Sequence, residues 1–247
     1  MESVLDRVIK QNTENVNLLK TKDYNIFSVL QIQSKEVLIC RMIADLLNPR
    51  GQHGAGAEYL KIFLRDCLGM EKMDTKLADQ AIVTAEYAID DERRIDIVIE
   101  MGSHFLPIEV KIYAADQKSQ CFDYYQYAKR RDAQAKVYYL TLDGHRPGKD
   151  STSSGSQSVP EEDIVCLSFR EHILNWLKAC KSCENTGMVP ILEQFIQNIE
   201  QISGYISEKV RNMVIDELLK SGDSLRAGMQ IADSINAAKA KRFCSKL

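Results

Sequence analysis

Apolar residues recur every second position in two short stretches at the centre of the chain, and every third or fourth position on either side of them. In Arg94–Glu100, Ile95, Ile97 and Ile99 alternate with Asp96, Val98 and Glu100; in Leu106–Ile112, Ile108, Val110 and Ile112 alternate with Glu109 and Lys111. A period of two predicts strands, with the isoleucines on one face and the acids and the lysine on the other. Met101-Gly102-Ser103-His104 is short enough for a hairpin. Pairing Glu100 with Phe105 then sets Asp96 opposite Glu109, and like charges directly opposite destabilise a sheet. A cation bound between them would remove that penalty.

The flanks read as helices. Glu2–Lys20 carries a broken apolar stripe, and Ser34 offers an N-cap for a helix over 35–47 that Asn48-Pro49 ends. Further helices are predicted over Ala57–Leu68, Ala114–Arg131, Arg170–Cys180 and Val189–Ile202, and over 208–247 with a break at Gly222. Tyr24–Ile32 is apolar without a clear period. Strands are expected over Ala81–Ile89, Val137–Leu142 and, at a sheet edge, Ile164–Phe169. His145–Pro160, rich in Ser and Gly, reads as a mobile loop and the best-placed flap over a substrate. The sum is an α/β protein, one domain over 1–247 with helical extensions at about 1–33 and 186–247, with no internal repeat or linker.

Composition adds bounds. A chain of 247 residues, 45% hydrophobic and 27% charged, has the makeup of a soluble globular protein. No run approaches a membrane span and the N-terminus lacks an apolar leader, so a cytoplasmic protein is expected. Seven scattered cysteines fit a reducing compartment; Cys180 and Cys183 have metal-like spacing but no second Cys/His pair, and read as free thiols. The net charge of −3 argues against a wholly basic nucleic-acid binder, yet residues 109–149 hold eight Lys/Arg against five Asp/Glu. That excess is placed beside the acidic strand pair. Lys129-Arg130-Arg131 fits equally well a helix C-terminus complementing its dipole. His53 reads as an exposed loop residue ahead of one that faces the acidic centre, and the basic tail 237–247 as solvated ahead of one that touches nucleic acid.

Two helices bear on the chemistry. Glu36 falls in line with Cys40, Ile43 and Leu47, a carboxylate on a core-facing stripe. A glutamate there needs a reason, and a first turn favoured by the helix N-terminus, with the carboxylate still reaching water, is one. Gln117, Gln120, Cys121, Tyr124 and Ala128 share one face of the helix over 114–131, polar enough to look at the acidic centre. An ordinary amphipathic helix packed through Phe122, Tyr125 and Tyr127 is the other reading.

Asp96, then Glu109-Val110-Lys111 after twelve intervening residues, then Gln120-Cys-Phe-Asp-Tyr124, in order on strand, strand and helix, resemble the signature of the PD-(D/E)XK nuclease superfamily. The last element resembles the Gln-x-x-x-Tyr of its phage-exonuclease-like branch. The string from Lys111 to Gln120 and the Glu36 helix are similar to a bacterial family of that superfamily, which usually has Asn at Val110 and often His-Ser at Ile39-Cys40. The resemblance implies a restriction-endonuclease-like α/β/α core, a small mixed sheet of about four to five strands between helices. It implies a metal-dependent deoxyribonuclease that uses Mg²⁺ or Mn²⁺, with Asp96, Glu109, the Val110 carbonyl and Glu36 as metal ligands. Lys111 would orient or deprotonate the attacking water or neutralise charge on phosphorus, Gln120 would position water or phosphate, and Tyr124 would pack beside it. Mg²⁺ suits such ligands, being a hard ion held by one or two carboxylates, waters and phosphate. DNA is the expected partner ahead of RNA, and a homodimer would suit cutting of both strands. The alternatives are a catalytically silent module of the same fold, binding nucleic acid or a protein, and a surface hairpin with a cross-strand ion cluster.

Overall fold

The structure, a computed structural model, describes residues 24–71, 74–183, 186–205, 215–216 and 218–244. The helix expected over Glu2–Lys20 lies outside the described residues. The chain divides into two compact units, Asn25–Tyr205 and the two terminal segments Met1–Tyr24 with Ile206–Leu247.

In the larger unit α1 (Ile26–Val29), α2 (Glu36–Leu47), α3 (Glu58–Asp66) and α4 (Thr75–Asp79) precede β1 (Ile82–Ala88), β2 (Arg94–Met101) and β3 (His104–Lys111). Then come α5 (Gln120–Arg131), β4 (Val137–Thr141), α6 (Lys149–Thr152), the short β5 (Ser153–Ser154) and β6 (Gln157–Ser158), β7 (Ile164–Ser168), α7 (Leu174–Lys181) and α8 (Val189–Ser203). The other unit contains α9 (Gly222–Cys244), which begins at the glycine expected to break the C-terminal helix. Among the described residues no helix is long and apolar enough to cross a membrane.

One five-stranded mixed sheet, in the order β1-β2-β3-β4-β7, organises the unit. The hairpin strands are antiparallel, while β4 runs parallel to β3 and β7 parallel to β4. A parallel crossover needs a dozen or more residues, and α5 supplies it between β3 and β4. Period-two patterning then gives the sheet two apolar faces. Ile97, Ile99, Ile108, Val110, Tyr138 and Leu140 pack with α2, α3, α7 and α8 through Ile43, Leu47, Phe63, Trp176 and Phe195. Val98, Phe105, Val137 and Tyr139 pack with α5 through Cys121, Phe122, Tyr124 and Ala128. Fully buried side chains such as Ile43 and Leu47 contribute about 1.5–3 kcal/mol each.

Three local expectations are corrected. Lys35, not Ser34, precedes α2, and no side chain caps that helix. The helix expected from Ala114 starts only at Gln120, because Asp116 is held elsewhere, accepting from Tyr139 Oη and Gly148 N at 2.7 Å each. Ser119, at φ 57°, then turns the chain through the left-handed region. The segment expected to be a mobile loop, 145–160, is folded onto the start of α5. Ser119 N donates to the Asp150 carbonyl at 2.7 Å, and buried Ser151 Oγ accepts from Cys121 N at 3.3 Å, satisfying one of the helix's orphan donors.

Candidate active site

The β2–β3 ladder has the register that the hairpin predicts, running from Met101↔His104 to Ile97↔Ile108. It stops there. Asp96 and Glu109 would be the next pair, but the backbones part and the Asp96 side chain takes over, its Oδ2 accepting from Val110 N at 2.8 Å. A carboxylate thus occupies the place of a ladder carbonyl. The alternation of β2 breaks at the same residue: Ile97 and Ile99 pack in the cluster on the α2 side, but Ile95 joins Val98 in the cluster under α5. The expectation that all three isoleucines share a face therefore fails at Asp96.

Glu109 and Lys111 share the α5-side face of β3. Glu109 is 1% exposed and Lys111 9% exposed, and Lys111 Nζ donates to Glu109 Oε1 at 2.5 Å. The other carboxylate oxygen, Glu109 Oε2, is buried with no protein partner. Burial pushes the Glu109 carboxyl up to about 8, the Asp96 charge adds to the shift, and Lys111 pulls against it. Burial also raises Asp96, opposed by the Val110 N–H and by Lys111. Burial alone would lower Lys111, but the charges of Glu109 and Asp96 outweigh it and hold the ammonium above its ordinary range. Two buried carboxyls facing one another favour a shared proton or a cation between them, and the Lys111 ammonium offsets this only in part.

Glu36 arrives from α2, where its half-buried side chain accepts from Ile112 N at 3.2 Å through Oε2. Lys111 is therefore bracketed, since the peptides on both sides of it donate to acids, Val110 to Asp96 and Ile112 to Glu36. Cys40, one turn along α2, is buried, and its thiol is raised by burial and by the charges of Asp96, Glu109 and Glu36.

Gln120 and Tyr124 stand one turn apart on the buried side of α5. Gln120 Nε2 donates to Tyr124 Oη at 3.0 Å, and Tyr124 Oη donates to the Arg94 carbonyl at 2.5 Å. The pair ties α5 to the backbone two residues before Asp96. Gln117, expected on the same helical face, lies in the preceding loop and accepts from Arg93 Nη1 at 2.8 Å.

Other expectations move away from the centre. The basic run Lys129-Arg130-Arg131 is at the far end of α5 from Gln120, about 16 Å along the helix. Lys129 meets Asp163 at 3.2 Å and Arg131 meets Glu100 at 3.5 Å, so this run neutralises local acids and is not beside Asp96. His53 is buried, stacked on Tyr59 at 4.8 Å and hydrogen-bonded to the Asn48 carbonyl at 3.0 Å. It shapes the loop after α2. Two residues at the site carry no signal in the sequence. Glu86 stands in β1 across from Asp96, and Arg41 of α2 holds its carboxylate at 2.6 Å. Both look like ordinary surface charges in a period-two or period-3.6 pattern.

A family model described as the PD-(D/E)XK nuclease superfamily matches residues 24–206, well over half of the chain. The chain belongs to the PD-(D/E)XK nuclease superfamily. No curated protein and no solved structure matches it. The mixed sheet of this PD-(D/E)XK protein is a restriction-endonuclease-like α/β fold, and the match ends one residue past the larger unit, leaving α9 outside it.

The residues fit a divalent cation by their chemistry. The donors are carboxylate oxygens suited to a hard ion, and with both acids ionised the buried Glu109 Oε2 has no donor, so that only a proton shared with Asp96 or a cation satisfies it. Among the described residues no three acidic, His or Cys side chains already form a cage.

Proposed function

We propose that this protein is a Mg²⁺- or Mn²⁺-dependent deoxyribonuclease. The observation that carries the reading is the unpartnered Glu109 Oε2, buried beside Asp96 and a lysine on a nuclease-superfamily fold. Asp96, Glu109 and the Val110 carbonyl would hold the ion, with Glu36 contributing directly or through water. Bound there, the ion supplies Lewis-acid polarisation of the scissile phosphate and lowers the pKa of water at the site.

The remaining work falls to the side chains. Glu109, relieved of its proton, becomes a full carboxylate. Lys111, no longer its sole counter-charge, presents Nζ to the attacking water or to a phosphate oxygen, where a fixed ammonium stabilises charge that builds in the transition state. The N–H bonds that bracket Lys111 keep its backbone still during that exchange. Tyr124 and Gln120 hold the start of β2, and so the carboxylate of Asp96, in place. Tyr113, 68% exposed and two residues beyond Lys111, offers an aromatic face on which a base of a nucleic-acid strand could stack.

Incubation of the purified protein with plasmid DNA, single-stranded DNA and RNA, in Mg²⁺, Mn²⁺ or EDTA, tests this reading. Metal-dependent DNA products are expected, and binding without cleavage under every metal would transfer the protein to the silent-module class.

A further inference from the structure

Glu86 is one of three residues other than glycine with a positive φ, 53°, among the described residues, and it sits in the middle of a strand. Long side chains seldom adopt that region, and strain of this kind concentrates where a site needs it. The pairing around it is informative. Ala85↔Ile97 and Tyr87↔Ile95 share one register, so no residue has been inserted, yet Glu86 and Asp96 between them make no ladder pair. On its other side Asp96 is also past the last β2–β3 pair, Ile97↔Ile108. Asp96 is thus released from both neighbouring strands at the residue where β2 changes faces. The released side chain is what captures Val110 N.

A lock keeps the turn in place. Arg41 of α2 donates to Glu86 Oε2 from Nε at 3.1 Å and from Nη2 at 2.6 Å. Arg41 is 59% and Glu86 32% exposed, a pairing too wet to stabilise the fold much but suited to fixing one backbone conformation.

We propose that Glu86 and Arg41 are a positioning pair for Asp96: the left-handed turn at Glu86, held by Arg41, unpairs β1 from Asp96 and lets its carboxylate take Val110 N. The structural part of this inference does not depend on catalysis; its consequence for metal binding rests on the nuclease reading.

Amide hydrogen exchange at Val110, followed by NMR in the metal-free protein, tests it with surface substitutions that leave the core intact. Arg41→Ala is expected to speed Val110 exchange about threefold to fivefold, because an unlocked glutamate relaxes toward a regular strand. Adding Glu86→Gly to Arg41→Ala is expected to bring exchange back to within twofold of wild type, since glycine holds a positive φ without a lock. Mn²⁺ affinity should follow the same order. Unchanged Val110 exchange in Arg41→Ala, or no rescue by glycine, overturns the proposal. Rescue of Val110 exchange with Mn²⁺ affinity unaffected throughout keeps the positioning of Asp96 and removes its role as a ligand.

Discussion

Lys111 Nζ meets Glu109 Oε1 at 2.5 Å across two positions of one strand face, with the lysine side chain 10% and the glutamate side chain 1% exposed. The ammonium is the counter-charge that Glu109 meets once it ionises, which burial delays to about pH 8. Removing one partner of a buried pair costs about 3–5 kcal/mol when the other stays charged. Glu109 has a way out, because it can take a proton. Lys111→Met should therefore destabilise the protein more at about pH 9 than at about pH 6, and adding Glu109→Gln should restore most of the loss. Urea unfolding at the two pH values checks this; a loss independent of pH would mean that Glu109 is not left charged.

The same carboxyl sets a pH dependence for the metal-free protein. Its folded value, about 8, lies above its ordinary 4.5, so between these values the folded state binds more protons than the unfolded state. Stability from this group is then present at low pH and is lost as pH rises through that window. Thermal unfolding midpoints in EDTA should fall from about pH 5 to about pH 8, and Glu109→Gln should flatten that part of the curve. A midpoint that rises through the window in wild type and variant alike would contradict the assignment.

Glu36 separates two readings by one substitution. Glutamine can still accept from Ile112 N, so Glu36→Gln should leave the unfolding midpoint nearly unchanged. If the charge matters to the cation, Mn²⁺ affinity should drop by about 10–100-fold, the range seen for outer-shell partners. Unchanged affinity in calorimetry would leave Glu36 as a first-turn glutamate alone.

Tyr124 Oη joins Gln120 to the Arg94 carbonyl. Tyr124→Phe leaves both without that partner and should cost about 1–3 kcal/mol in denaturant unfolding. Nearly full stability in the variant would show that water replaces the hydroxyl and that the tie to β2 is dispensable.

The strand pair and its register were legible because period-two alternation and a short connection leave little freedom: Ile97↔Ile108 falls where the hairpin puts it. Asp96 broke the pattern for a reason outside its own strand. The turn at Glu86 lies across the sheet, and a left-handed glutamate looks like any other glutamate in sequence. The start of α5 was misplaced for a similar reason, since Asp116 is drawn away by Tyr139 and Gly148, partners 23 and 32 residues further on. The basic run fits a helix end and a patch beside the acidic strands equally well in sequence, and its distance from Asp96 follows from helix length once Gln120 is known to begin α5. His53 was read as exposed because nothing in a loop sequence reports that Tyr59 covers it.

On the proposed function, a divalent cation replaces a proton between Asp96 and Glu109. Calorimetric titration with Mn²⁺ at about pH 7, repeated in buffers of different ionisation enthalpy, measures the protons released on binding. Wild type should bind with proton release, Glu109→Gln should bind without it, and Asp96→Asn should bind far more weakly. Binding with no proton release, or equal binding in wild type and both variants, would contradict it.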